Sequence, residues 1–322
     1  MEAAKRILRD TLITYWALVK TIVPMMILTR IAVDLGLVKA LAPSLAPVMN
    51  LLGLPAELGL AWLTGVLVGI WPGAVALFAV MPAGELTSAQ VTVYLGLLLV
   101  AHGLPVEQRI IQAAGPGFVA TTLLRLVGGF LYAWLLHLVF SATGWLDTPV
   151  APHWVPANAS PDLAAYVAGA VEGLAWMFVI LLALLIGMRI LEAFNLFTRL
   201  SDLLAPTLRL CGIGKEAAPV TMVGLLLGIT YGGGLIRREA ELGRVGPRDL
   251  FLACALMGFA HSLIEDTALC LALGGDAASL VAGRILFAIV AVALLARLVK
   301  AMPDRDFGRY LFRAPTPAAD AP

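Results

Sequence analysis

Charge is scarce in this chain. Asp, Glu, Lys and Arg make up 13% of its 322 residues, about half the share of a soluble domain, while 61% are hydrophobic and mean hydropathy is +0.93. A soluble globule is excluded, because lipid must solvate most of the surface. Cysteine is scarce too. Cys211, Cys254 and Cys270 lie in apolar contexts, too few for a disulfide framework or a Cys-type zinc site, and they read as small core residues. With a net charge of +1 and no basic stripe outside the hydrophobic segments, a nucleic-acid surface is not expected. Enzyme signatures are missing as well: there is no His-Glu-x-x-His pair, Gly-x-Ser-x-Gly elbow or Gly-x-x-x-x-Gly-Lys loop. An intramembrane hydrolase built on His261 and Glu265 would lack a nucleophile with a recognisable partner, so no enzyme is expected.

What the chain does contain is a duplication. Ala101-His102-Gly103-Leu104-Pro105-Val106-Glu107 returns 159 residues later as Ala260-His261-Ser262-Leu263-Ile264-Glu265-Asp266. Aligned at that offset without a gap, Ile27 to Leu136 matches its copy at 26 of 110 positions. Matched Leu, Ala and Gly mean little here. The informative matches are Arg30 with Arg189, Pro47 with Pro206, Glu57 with Glu216, His102 with His261 and Arg125 with Arg284; Glu107 falls on Asp266.

At about 20 apolar residues per crossing, spans are predicted over 11–33, 88–113 and 117–144, with mates over 163–191, 247–272 and 277–300. The first is read as a retained span, too long for a signal-peptide core and without a clean cleavage site. Leu37–Leu52 and its mate Leu196–Cys211, which holds Arg199 and Asp202, have the mixed polarity of interfacial helices. Glu57–Met81 and Glu216–Ala240 break in the middle, around Gly69 and Gly73 in one copy and Gly228 and Gly232 in the other. Each is a kinked span or a re-entrant hairpin.

Loop charge favours the hairpin. Cytoplasmic loops are rich in Lys and Arg. Arg237, Arg238, Arg244 and Arg248 crowd one loop while its mate, 78–88, has only Glu85. The central loop 144–161 has no Lys or Arg, and both ends of the chain are basic. With hairpins, each half contributes three spans and every loop falls on its expected side. The expectation is an all-α integral membrane protein: an inverted repeat of two halves, 11–144 and 163–300, each with three spans, one hairpin and one interfacial helix. Residues 1–10 and 301–322 would lie in the cytoplasm, and 145–162 would form the extracytoplasmic connection. The tail past Arg313 is proline-rich and read as disordered; Asn158-Ala159-Ser160 matches a glycosylation acceptor, a pattern too short to weigh.

Intramembrane ionisable groups default to function. His102 and His261 are expected midway through their spans, near the pseudo-twofold axis; Gly103 and Pro105 weaken the helix beside His102 and would free backbone carbonyls, while His261 and Glu265 share a helix face. Three readings stay open: a metal or proton path through His102, His261, Glu107, Glu265 and Asp266; a polar-solute site using these groups, Thr267 and the hairpin tips with Thr230 and Tyr231; or structural ion pairs. Arg125 and Arg284 lie deep enough to require a carboxylate or an anionic solute as partner. Arg30 and Arg189, near helix ends, can snorkel. Glu172 is an intramembrane carboxylate with no acidic mate.

The Gly224–Gly234 hairpin sequence and the Ala260-His261-Ser262-Leu263-Ile264-Glu265-Asp266-Thr267 segment resemble the bacterial nucleoside-recognition or Gate-domain membrane proteins. That family looks related to the membrane parts of concentrative nucleoside transporters, ferrous-iron permeases and spore-maturation membrane proteins. The resemblance implies a transport-type fold and leaves the solute open. The first copy departs from the pattern, reading His102-Gly-Leu-Pro-Val-Glu107 without an adjacent acidic pair. The expected function is a secondary transporter or permease in a bacterial inner membrane, moving a small polar solute or ion, with H+, Na+ or a divalent metal as the ion involved. A homodimer is compatible; a non-transporting scaffold is the alternative of another class.

Overall fold

A computed structural model of the chain describes residues 2–155, 162–193 and 206–313. Among these the fold is all helix, with two isolated β-bridges and no strand. Six stretches are long and apolar enough to cross a membrane: Ile7–Asp34, Ser88–Gln112, Phe118–Thr143, Leu163–Gly187, Pro247–Ala272 and Ala278–Ala301. The chain is an all-α, multi-pass membrane protein. Asn158, Arg199, Asp202 and the tail beyond Arg313 lie outside the described residues.

In chain order the first half runs α1 (Glu2–Asp34), α2 (Leu37–Leu51), α3 (Leu58–Val68), α4 (Ile70–Val80), α5 (Ser88–Val100), α6 (Leu104–Gln112) and α7 (Phe118–Thr143). The second runs α8 (Leu163–Ala193), α9 (Ala218–Leu227), α10 (Ile229–Glu241), α11 (Pro247–Ala260), α12 (Glu265–Ala272) and α13 (Arg284–Ala301), the last preceded by a π-helical turn over Ala278–Gly283; α14 (Asp304–Tyr310) closes it. The spans α5–α6 and α11–α12 are 78% and 83% buried, the other four 17–33%. Two broken helices therefore form the core, and four lipid-facing helices enclose them.

Each core span is interrupted at its histidine, in the first copy beside the expected weak point at Gly103 and Pro105 and in the second where a continuous helix face was expected. α5 stops at Val100, Gly103 takes a left-handed conformation (φ 56°), and Pro105 stands in the first turn of α6. α11 ends with His261 as its cap, and Ser262, the repeat mate of Gly103, is also left-handed (φ 50°). Glycine takes that region freely; for serine it costs about 1–2 kcal/mol. His261 and Glu265 thus belong to different helices and share no face.

The two glycine-broken segments are hairpins. A Cβ on Gly73 would lie 2.7 Å from the Cα of Gly65, and one on Gly232 would lie 2.4 Å from the Cα of Gly224. In a straight helix, residues eight apart are separated by about 12 Å. The reversals occur at Gly69 (φ 146°) and Gly228 (φ 98°), and hydrogen lets the two arms touch backbone to backbone, the contact that packs helices in lipid. Each hairpin is tied to the adjacent helix break. Gly103 N–H donates to the Gly65 carbonyl (2.9 Å), Leu263 N–H donates to the Leu225 carbonyl (2.9 Å), and the Tyr94 hydroxyl on α5 donates to the Gly73 carbonyl (2.8 Å).

Candidate functional site

A broken helix leaves backbone carbonyls without partners, and in a hydrocarbon environment these must be satisfied by protein. Here arginine does it twice, in the same register. Arg125 on α7 donates from Nε to the Val100 carbonyl (2.8 Å) and from Nη2 to the His102 carbonyl (3.1 Å). Arg284 on α13 donates from Nε to Phe259 and from Nη2 to His261, both at 2.9 Å, and also reaches the Leu99 carbonyl (2.9 Å). Val100 and Phe259 are repeat mates, as are His102 and His261. A guanidinium at a helix C-terminus also meets the negative end of the dipole.

The third branch differs between the halves. Arg125 Nη1 donates to Glu107 Oε2 in a buried, charge-assisted ion pair. Arg284 Nη1 has no hydrogen-bond partner among the described residues, and Asp266 forms no ion pair with it. Aspartate is one methylene shorter than glutamate, so the carboxylate falls short. This corrects the expectation for Arg284: three backbone carbonyls, and no carboxylate, hold it.

With the carbonyls capped, the imidazoles point inward. His102 and His261 are 3% and 1% exposed. Their Nδ1 atoms lie 2.8 Å from the Leu98 carbonyl and 2.9 Å from the Met257 carbonyl. A carbonyl only accepts, so each Nδ1 carries a proton and each ring turns its Nε2 inward. Those two Nε2 atoms face each other at 3.2 Å. His102 Nε2 also lies 3.3 Å from Glu107 Oε1 and 3.5 Å from Asp266 Oδ2; His261 Nε2 lies 3.5 Å from Glu107 Oε2 and 3.9 Å from Asp266 Oδ2. Two imidazoles and two carboxylates, taken equally from the two halves, therefore surround one point.

The other expected site residues scatter. Glu265 turns to the Trp71 side chain on α4 and, among the described residues, makes no ion pair with either histidine, since the break at Ser262 separates α12 from α11. Thr267 is buried, with its hydroxyl unpartnered among the described residues. Thr230 and Tyr231 lie in the first turn of α10, and their side chains are outside the described residues. Gly69, Gly73, Gly228 and Gly232 build the hairpins described above. Arg30 pairs with Asp34 (2.7 Å) and Arg189 with Asp10 (3.4 Å), partners at the periphery and not in the cluster. Glu172 is exposed on α8.

Sequence reasoning missed Gln108. It is 1% exposed, and neither its Oε1 nor its Nε2 has a partner among the described residues. Its repeat mate is Thr267. The signal was available: two polar residues at the 159-residue offset, each following the carboxylate of its copy. A groove of about 810 Å3 between the start of α7 and residues 309–313 is apolar, and none of the four converging side chains lines it. The cluster is enclosed, with the 17%-exposed Glu107 side chain its most accessible member.

The chain is similar to the uncharacterized membrane protein YvoD of Bacillus subtilis (strain 168). The two are 24% identical over 301 residues, covering 92% of this chain and 95% of that one. No family model matches the sequence, and no solved structure matches it.

Proposed function

We propose that the protein is a secondary transporter or permease for a small polar solute or ion, with its site at the meeting point of two inverted repeats. The carrying observation is the contact of His102 with His261, a residue touching its own repeat mate at 3.2 Å. Mates touch in this way where a local twofold axis passes between them. Three crossing stretches in each half reverse the second half relative to the first. The hairpin arms α3 and α4, of 11 residues each, span about 16 Å, half of a roughly 30 Å hydrocarbon core, which suits re-entrant segments. Inverted repeats with broken helices at the midplane are the arrangement of many carriers. The resemblance to Gate-domain proteins and the similarity to YvoD, itself named a membrane protein, agree with this reading.

In this reading the protein occupies a bacterial inner membrane with both basic ends in the cytoplasm, and H+ or Na+ is the candidate coupling ion. A second copy is the proposed partner along α1 and α8, where Lys20 and Glu172, of opposite sign, are exposed within spanning stretches that lipid solvates poorly. The deciding experiment is flux into proteoliposomes: the H261A/D266A double variant should lose transport while keeping a cooperative melt. Unaltered flux would refute the site. Cysteine labelling that puts 82–88 and 238–246 on one face of the membrane would refute the inverted repeat.

A further inference from the structure

We propose that the enclosed cluster is a binding site for a first-row divalent transition-metal ion, with His102 Nε2, His261 Nε2, a Glu107 carboxylate oxygen and Asp266 Oδ2 as its four ligands. The inference rests on the carrier reading and names the class of its cargo.

The distances carry it. Ligand atoms about 2.0–2.1 Å from one tetrahedral ion, the spacing of imidazole and carboxylate on Zn2+, are about 3.3–3.4 Å from one another. Here the two Nε2 atoms are 3.2 Å apart; Glu107 lies 3.3 Å from His102 Nε2 through Oε1 and 3.5 Å from His261 Nε2 through Oε2, and Asp266 Oδ2 lies 3.5 and 3.9 Å from the same two nitrogens. His102, Glu107 and His261 alone already satisfy the spacing of a metal-binding group. Asp266 supplies a fourth oxygen close to both rings.

The electronics agree. Both Nδ1 atoms are committed to backbone carbonyls, the arrangement that orients metal-bound imidazoles and raises their basicity. The two Nε2 atoms therefore face each other at 3.2 Å with a carboxylate beside each, an arrangement in which one electron-pair acceptor can be shared. Imidazole with carboxylate suits Zn2+, Fe2+, Mn2+ or Co2+ better than Mg2+ or Ca2+, which prefer all-oxygen shells. Arg125, paired with Glu107, and Arg284, on the carbonyl of His261, reduce the negative charge that the ion meets. That moderates affinity, as release from a carrier requires.

The test is titration of the purified full-length protein in detergent with Co2+, whose visible absorption reports coordination geometry. One ion per chain is expected, with a tetrahedral spectrum, displaced by Zn2+ and unaffected by excess Mg2+. H102Q/H261Q should abolish binding and D266N should weaken it at least tenfold. D266N keeps the shape of the site and decides the matter if the double variant does not fold. Absence of Co2+ and Zn2+ binding by the wild-type protein overturns the inference, as does an unchanged affinity in folded D266N. Entrapped-dye proteoliposomes separate it from the carrier reading. Stoichiometric binding without metal flux leaves the site standing and removes the carrier. Loss of organic-solute flux in histidine variants of a protein that binds no metal does the reverse.

Discussion

The two halves solve one structural problem alike and a second one differently. In both, an arginine from the following span closes the carbonyls of a broken helix, through Val100 and His102 in the first half and Phe259 and His261 in the second. Only the first half then ties the same arginine to its carboxylate, Glu107. In the second, Arg284 Nη1 is left without a partner among the described residues, and Asp266 stays among the imidazoles. One methylene separates a carboxylate shared between its arginine and the imidazoles from one that faces the imidazoles alone. A duplicated fold can thus keep its scaffold symmetric while dividing roles within the site.

The largest effect expected from breaking this comparison is that of R125M. It leaves the Glu107 carboxylate and two carbonyls buried without their donor, a loss of about 3–5 kcal/mol, read as a steep fall in detergent melting temperature. Adding E107Q should recover part of that loss. A double-mutant cycle on Arg284 and Asp266 should show coupling well below that of Arg125 and Glu107; equal couplings would erase the distinction between the halves.

Glycine contacts come next. G73A and G232A each force a Cβ against a facing backbone at 2.7 and 2.4 Å, and overpacking of this kind costs about 1–3 kcal/mol. Both should lower the melting temperature, whereas G84A, with open space around it, should not.

D266E sharpens the comparison by giving the second half the first half's side chain. The longer carboxylate should reach Arg284 and raise stability by about 1–3 kcal/mol, the worth of a charge-assisted hydrogen bond. Co2+ affinity should change as well, because the carboxylate is then shared between Arg284 and the imidazoles as Glu107 is shared in the first half. The smallest effect is that of S262G. Relief of the left-handed serine is worth about 1 kcal/mol, and the contact it forfeits, Asp266 N–H to Ser262 Oγ at 3.4 Å, is long. A modest rise in melting temperature is expected, and a fall would show that the serine cap matters more than the strain.

Much of the frame was legible in the chain. Six apolar stretches, two glycine-interrupted segments and the 159-residue repeat are one-dimensional signals: a crossing has a minimum length, a reversal requires glycine, and duplication leaves residues in register. His102 and His261 could be paired by that register, and placed midway through their spans. Gly103 and Pro105 marked the weak point of the first core span, whereas the left-handed turn at Ser262 leaves no trace in an apolar profile. Gln108 was overlooked because one amide beside a carboxylate looks like surface until burial is known.

The sequence by itself determined that the chain resides in lipid, that it is built from two related halves, and which polar residues recur in both, because composition and register are properties of the string. Tertiary structure decided that Glu107 is clamped by an arginine while Asp266 is not, that Glu265 turns away, and that two imidazole Nε2 atoms meet at 3.2 Å. Those outcomes depend on ångström-scale reach between helices far apart in the chain, and a one-methylene difference acquires meaning only once packing has set the distance it must cover.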